Sequence, residues 1–179
     1  MPHYALTIIG RDRPGIVTEV TEILFKLGCN IADSSSTLLG GQYAMIQIIS
    51  HPTIDSTEEL AAAFAPLEAS GLSAFVRRIE AEKLRKQEIG GEIYMISVYG
   101  SDKPGIVYRV AKELSERQVN ITDLNTKLVG SEARPVYVMM LEAVLPESID
   151  EAELTRVLMA LQGELQVDIT IRSITPVEL

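Results

Sequence analysis

Gly10-Arg-Asp-Arg-Pro-Gly-Ile-Val17 and Gly100-Ser-Asp-Lys-Pro-Gly-Ile-Val107 decide the architecture of this chain, because the second stretch repeats the first ninety residues further on. Outward from these segments the similarity continues. Residues 4–40 align with residues 94–130 without a gap, and Tyr4/Tyr94, Val20/Val110, Leu24/Leu114, Asn30/Asn120, Ile31/Ile121, Asp33/Asp123, Leu38/Leu128 and Gly40/Gly130 all coincide. Beyond that point the offset becomes 94, because the second copy carries four extra residues around Ser131-Glu132-Ala133-Arg134-Pro135. A fixed period of this length means two homologous domains. The expected bounds are 1–80 for the first, 81–91 for a charged, glycine-terminated linker, and 92–179 for the second.

Each copy reads as strand, helix, two strands, helix, strand. Tyr4 to Ile9 is an apolar run closed by Gly10, and Pro14 suits a first helical turn, where a missing N–H costs nothing. Ile16, Val17, Val20, Ile23, Leu24 and Leu27 recur at helical spacing until Gly28. Asn30 to Leu39 and Tyr43 to Ser50 flank Gly40-Gly41, a hairpin signal. Ser56 or Thr57 caps a second helix with Leu60, Phe64 and Leu67 on its apolar side, which Pro66 shortens or kinks. The corresponding helix of the second copy spans about Asp150 to Gln162, and the closing strands are Leu72–Ile79 and Leu165–Ile174. This order predicts an α+β fold: two ferredoxin-like βαββαβ domains, each an antiparallel sheet with both helices on one face.

Composition narrows the function. Acidic residues outnumber basic ones 25 to 16, giving a net charge of -9, and no helix gathers a basic stripe. Nucleic-acid affinity rests largely on Lys and Arg neutralising phosphates, so direct binding to DNA or RNA is not expected. No apolar run is long enough for a bilayer, the start lacks a signal-peptide pattern, and the single cysteine, Cys29, fits a reducing compartment. A cytoplasmic location follows as the expectation.

The repeated loop lies where the first strand meets the first helix. Such a junction offers unpaired N–H groups and the positive end of a helix dipole, which favour a carboxylate. Gly15 and Gly105 admit close approach to the main chain, and Asp12 and Asp102 supply negative charge for an ammonium group. The same residues also start a helix in the ordinary way, with Asp as cap, Pro presetting φ and Gly relieving crowding. Retention of the loop in both copies, while the helices beyond it drift, weighs toward binding at one loop or both. Asn30 and Asn120 either turn the chain into the second strand or complete a ligand's hydrogen bonds.

A strand followed by G-x-D-[RK]-P-G-I-V, an apolar helix and then N-I resembles the ACT domain, twice over nearly the whole chain. The resemblance implies regulatory modules that pair side by side and bind amino acids between this loop and the second strand of a neighbour. It implicates Gly10, Arg11, Asp12, Pro14, Gly15, Ile16 and Asn30, and Gly100, Asp102, Lys103, Pro104, Gly105, Ile106 and Asn120. The tandem layout is similar to the glycine cleavage system transcriptional repressor family. That similarity implies a sensor of glycine or a similar amino acid, acting as a homodimer or intramolecular pseudo-dimer through a protein partner such as a transcriptional activator. No cofactor, metal or catalytic residue is expected, and no signature of a nucleophile elbow, phosphate loop or zinc site occurs. The alternatives are a regulatory accessory subunit of an amino-acid or folate enzyme, and a structural dimerisation module. His51 reads as a solvated strand exit, Cys29 as packing, and Met95, Met139 and Met140 as core.

Overall fold

The computed structural model describes residues 1–80, 91–131 and 134–174. The chain divides into two compact units, Met1–Gln87 and Glu88–Leu179. Residues 81–90 of the expected linker, and Glu132 and Ala133 of the second copy's extra residues, lie outside the described residues.

In the first unit the order is β1 (His3–Arg11), α1 (Ile16–Leu27), β2 (Asn30–Leu39), β3 (Gln42–Ser50), α2 (Thr57–Ala62), a 3-10 helix (Ala65–Ser70) and β4 (Leu72–Ile79). In the second it is β5 (Glu92–Gly100), α3 (Ile106–Glu116), β6 (Asn120–Ser131), β7 (Arg134–Leu145), α4 (Glu151–Leu165) and β8 (Val167–Ile174). Both sheets are antiparallel and ordered alike, β2-β3-β1-β4 and β6-β7-β5-β8. The expected βαββαβ architecture is therefore present twice.

Alternation along the central strands builds each core. Tyr4, Leu6 and Ile8 of β1 are buried on one face of the sheet, as are Tyr94, Ile96 and Val98 of β5. Onto that face α1 lays Ile16, Val20 and Leu24, and α3 lays Ile106, Val110 and Leu114. Each such side chain contributes about 1.5–3 kcal/mol on burial. Val17, expected in the apolar stripe, is instead 51% exposed, because it stands one position round the helix from Ile16.

Several local expectations change in physically simple ways. α1 begins at Ile16 with Gly15 as its cap residue, so Pro14 belongs to the preceding turn rather than to the helix. Pro66 divides the second helix: α2 stops at Ala62, and a 3-10 helix carries Leu67 into the core. Ser56 caps α2, its hydroxyl accepting from the Glu59 N–H at 3.2 Å. Leu165 ends α4 and does not open β8, because Gln166 takes a left-handed conformation with φ 55° between them. Gly130, the counterpart of Gly40, lies within β6, since the longer hairpin extends both strands past the position of Gly40. Met139 is buried, whereas Met140 is 45% exposed on the opposite face of the sheet.

His51 is buried and not solvated. Its Nδ1 accepts the N–H groups of Thr53 at 3.1 Å and Ile54 at 2.7 Å. The proton therefore resides on Nε2, which donates to the Leu27 carbonyl at 2.9 Å. One imidazole thus ties the end of α1 to the loop leaving β3.

β2 and β6 are edge strands, and every residue of β2 is exposed. Each carries a bulge at the same place, between Ile31 and Asp33 and between Ile121 and Asp123.

Candidate ligand-binding corners

The corner between β1 and α1 is shaped by two glycines with different reasons for being glycine. Gly10 lies between β3 and β4, and a Cβ built on it falls 2.4 Å from the Gly71 carbonyl oxygen. Gly15 has φ 95° and ψ -8°, values suited to the third position of a type II turn whose second position is Pro14. Above Gly15 the space is open, with nothing nearer to a built Cβ than Glu19 Oε1 at 3.9 Å. Gly100 and Gly105 repeat this division: Val167 crowds Gly100, and nothing lies within 4 Å of a Cβ on Gly105, where φ is 96°.

No side chain caps either helix. The Asp12 carboxylate does not serve as a cap; its backbone N–H instead donates to the Gly41 carbonyl at 2.9 Å, tying the corner to the β2–β3 hairpin. The leading N–H groups of α1 and α3 therefore have neither an intrahelical carbonyl nor a side-chain acceptor. An exposed Asp12 or Asp102 stands beside each helix start. Ile16 and Ile106 are 3% and 2% exposed, so their side chains belong to the core and only their main chain faces the corner.

The basic residues of the two corners are committed differently. Arg13 forks onto Glu19 with contacts of 2.6 and 2.7 Å, and this bidentate pair holds the Glu19 carboxyl below its ordinary range. In the second unit, position 109 is arginine where the first has Glu19, so Lys103 has no carboxylate at that site. Lys103 Nζ turns instead to the end of α4, donating to Gln166 Oε1 at 3.0 Å and the Leu165 carbonyl at 3.4 Å. Arg109 pairs with Glu164. Beside this corner opens a cavity of about 560 Å³, lined by Gly100, Ser101, Gln162, Gln166 and Asp168 among others.

The structure separates two predicted residues, Asn30 and Asn120, from the rest of their own corners. Asn30 pairs with Ser50, which faces His3, while the corner follows Arg11 at the other end of β1. Eight strand steps place Asn30 roughly 27 Å from its own corner. Asn120, at the start of β6, is displaced in the same way. Conversely, Tyr43 and Tyr137 stand directly across from Gly10 and Gly100 in the strand register and were not among the candidates. Burial raises the Tyr137 hydroxyl pKa, a hydrogen bond with Thr126 lowers it, and the Asp102 charge raises it further, which places that phenol within the field of the corner aspartate. The signal was available: both copies carry Tyr here at the offset of 94.

Among the described residues no group of three or more His, Cys, Asp or Glu side chains is placed to hold a metal ion. Cys29 is half-buried, and burial pushes its thiol pKa up, as suits a packing residue. No helix among the described residues is long and apolar enough to cross a membrane.

Comparison with known proteins agrees with the fold. A family model described as ACT domain matches residues 4–70 and again residues 92–172. The glycine cleavage system transcriptional repressor of Escherichia coli (strain K12) is 26% identical over 166 residues, covering 91% of this chain and 86% of that protein. Among solved structures, an unknown protein from Galdieria sulphuraria superposes with a TM-score of 0.79 at 25% identity, covering 97% of this chain and 99% of the other. A protein provisionally called a glycine cleavage system transcriptional repressor shares the fold with a TM-score of 0.73, at 21% identity and 98% coverage of both chains.

Proposed function

The chain belongs to the ACT domain family, and on that premise we propose that it is a non-catalytic amino-acid sensor that regulates a protein partner. Its domains are residues 1–80 and 92–179, joined by a linker at 81–91. The observation that carries this reading is the duplicated corner: uncapped helix N–H groups, open space over Gly15 and Gly105, and an exposed aspartate at each. Helix N–H donors suit a carboxylate and the aspartate suits an ammonium, which together match a free α-amino acid.

Asn30 enters the site from a neighbouring sheet. β2 runs from Asn30 at the far end to Leu39 beside the corner. An antiparallel neighbour on this edge runs the other way, so its own first residues arrive next to Leu39. Pairing along Asp33–Leu39 carries the neighbour's Asn30 past Leu39 toward the Gly40–Gly41 turn, whose carbonyl already holds Asp12. A homodimer joined along this edge therefore completes each corner with an amide.

Similarity to the Escherichia coli repressor favours glycine or a similar small amino acid, and a target in glycine metabolism reached through a protein partner such as a transcriptional activator. The net charge of -9 is consistent with a regulator that leaves DNA contact to that partner. Glycine has five heavy atoms, and at about 1.5 kcal/mol per atom as a ceiling its affinity reaches micromolar at best. Isothermal titration of the full chain against the common amino acids tests the reading. A saturable heat with one of them, abolished by Asp12→Ala combined with Asp102→Ala, is the expected result; silence across the panel overturns it.

A further inference from the structure

The first unit's sheet has a second face, away from the helices, that the ligand corners do not use. Strand register places Asp33, Ile48, Ala5 and Arg77 in one cross-strand row, and Ser35, Ile46, Thr7 and Phe75 in the next. Phe75 is 61% exposed and Ile46 52%, with Ile9 at 43% in the row beyond. Large apolar side chains grouped in this way mark a contact surface. The two ends of the first row carry opposite charges on opposite edges, Asp33 on β2 and Arg77 on β4. Neither belongs to an ion pair among the described residues, although Arg78 beside it pairs with Asp55.

We propose that this face packs against the same face of a second copy of the chain, about a twofold axis parallel to the strands. Such an axis lays each row on its own counterpart with the order of strands reversed. β2 of one copy then crosses over β4 of the other, and Asp33 meets Arg77 of the second copy at both ends of the contact. Between these pairs, Ile46 and Ile48 of one copy cover Thr7 and Ala5 of the other. Asp and Arg side chains together span the roughly 10 Å that separates packed sheets. The contact is isologous and closes on itself.

The corresponding face of the second unit is a poorer occupant. Its rows read Asp123, Glu142, Met95, Arg172, then the uncharged Asn125, Met140, Ser97, Thr170, and then Lys127, Val138, Tyr99, Asp168. Laid on the first unit's face, they bury Glu142 over Ala5, with the Thr122 hydroxyl at 2.5 Å as its bond, and set Lys127 and Asp168 against Ser73 and Thr37. Charges buried without opposite partners cost heavily. Self-pairing of the first unit's face buries none.

Light scattering on the full chain tests this assignment without any ligand present. Arg77→Glu and Asp33→Arg each set like charges opposite one another, so each alone halves the molar mass, whatever other contacts assemble the chain. The double variant Asp33→Arg/Arg77→Glu exchanges the two charges and restores the wild-type mass. Phe75→Glu halves the mass and is not rescued; Phe75→Gln replaces it where the former fails to fold, which thermal unfolding reports. Wild-type mass in both single charge variants overturns the proposal, as does a double variant that stays dissociated. Rescue of Arg77→Glu by Asp123→Arg overturns it in favour of the second unit's face.

Discussion

Replacing Gln47 with leucine is expected to stabilise the first unit, against the usual direction of core substitutions. Gln47 is 3% exposed on the helix-covered face of β3, in register with Leu6 on β1 and Ser34 on β2, and its Oε1 has no hydrogen-bond partner. The second unit shows the alternative at the same place: Leu141, 1% exposed, between Ile96 and Leu124. An unsatisfied buried polar group costs about 1–3 kcal/mol. Swaps that conserve volume rarely cost more than about 1.5 kcal/mol in packing. The net gain is therefore about 1–2 kcal/mol, and for a unit of this size each kcal/mol moves the melting temperature by about 4–8 °C. Differential scanning calorimetry of the full chain reads this directly. Gln47→Leu raises one transition, and the reciprocal Leu141→Gln lowers the other. An unchanged or lowered transition for Gln47→Leu refutes the reasoning, since it would mean that the glutamine is already satisfied where it lies.

Other substitutions separate the parts of each corner. Gly15→Ala forces a side chain into φ 95° with open space around it, and should cost about 1–2 kcal/mol in urea unfolding. Gly10→Ala brings a methyl group onto the Gly71 carbonyl and should cost more than Gly15→Ala in the same assay. His51→Ala removes one hydrogen bond to Leu27 and two from Thr53 and Ile54, for an expected loss of about 2–4 kcal/mol by chemical denaturation. Arg13 lowers the Glu19 carboxyl pKa in the folded state, so the stability it confers is present above the unfolded value of about 4.3 and is lost as pH falls through the folded value. Glu19→Gln should lower the neutral region slightly and so flatten that acid limb of a stability-against-pH curve, leaving stability below the folded value nearly unchanged.

The duplication made the architecture readable from the chain alone, because alternation at Tyr4, Leu6 and Ile8 and helical spacing at Ile16, Val20 and Leu24 recur in the second copy with the same roles. Pro66 also announced the break it makes. The position of Asn30 was readable in principle. A helix of 12 residues returns the chain about 18 Å, so the next strand must start at the far end of the sheet. The committed cations were less accessible. That Lys103 turns to α4 depends on Arg109 replacing Glu19 six residues beyond the lysine, and on Gln166 presenting an oxygen more than sixty residues away. The burial of His51 likewise depends on where the end of α1 comes to rest, which no local pattern encodes.

The bulge in β2 sets how far its edge can be extended. Beyond it the strand offers seven residues in unbroken phase, Asp33–Leu39, and before it the alternation of side chains reverses. An added strand that slides past this point loses its ladder and turns its own faces the wrong way. The irregularity therefore acts as a detent, holding an incoming strand at one alignment and discouraging the open-ended stacking to which a smooth edge is prone.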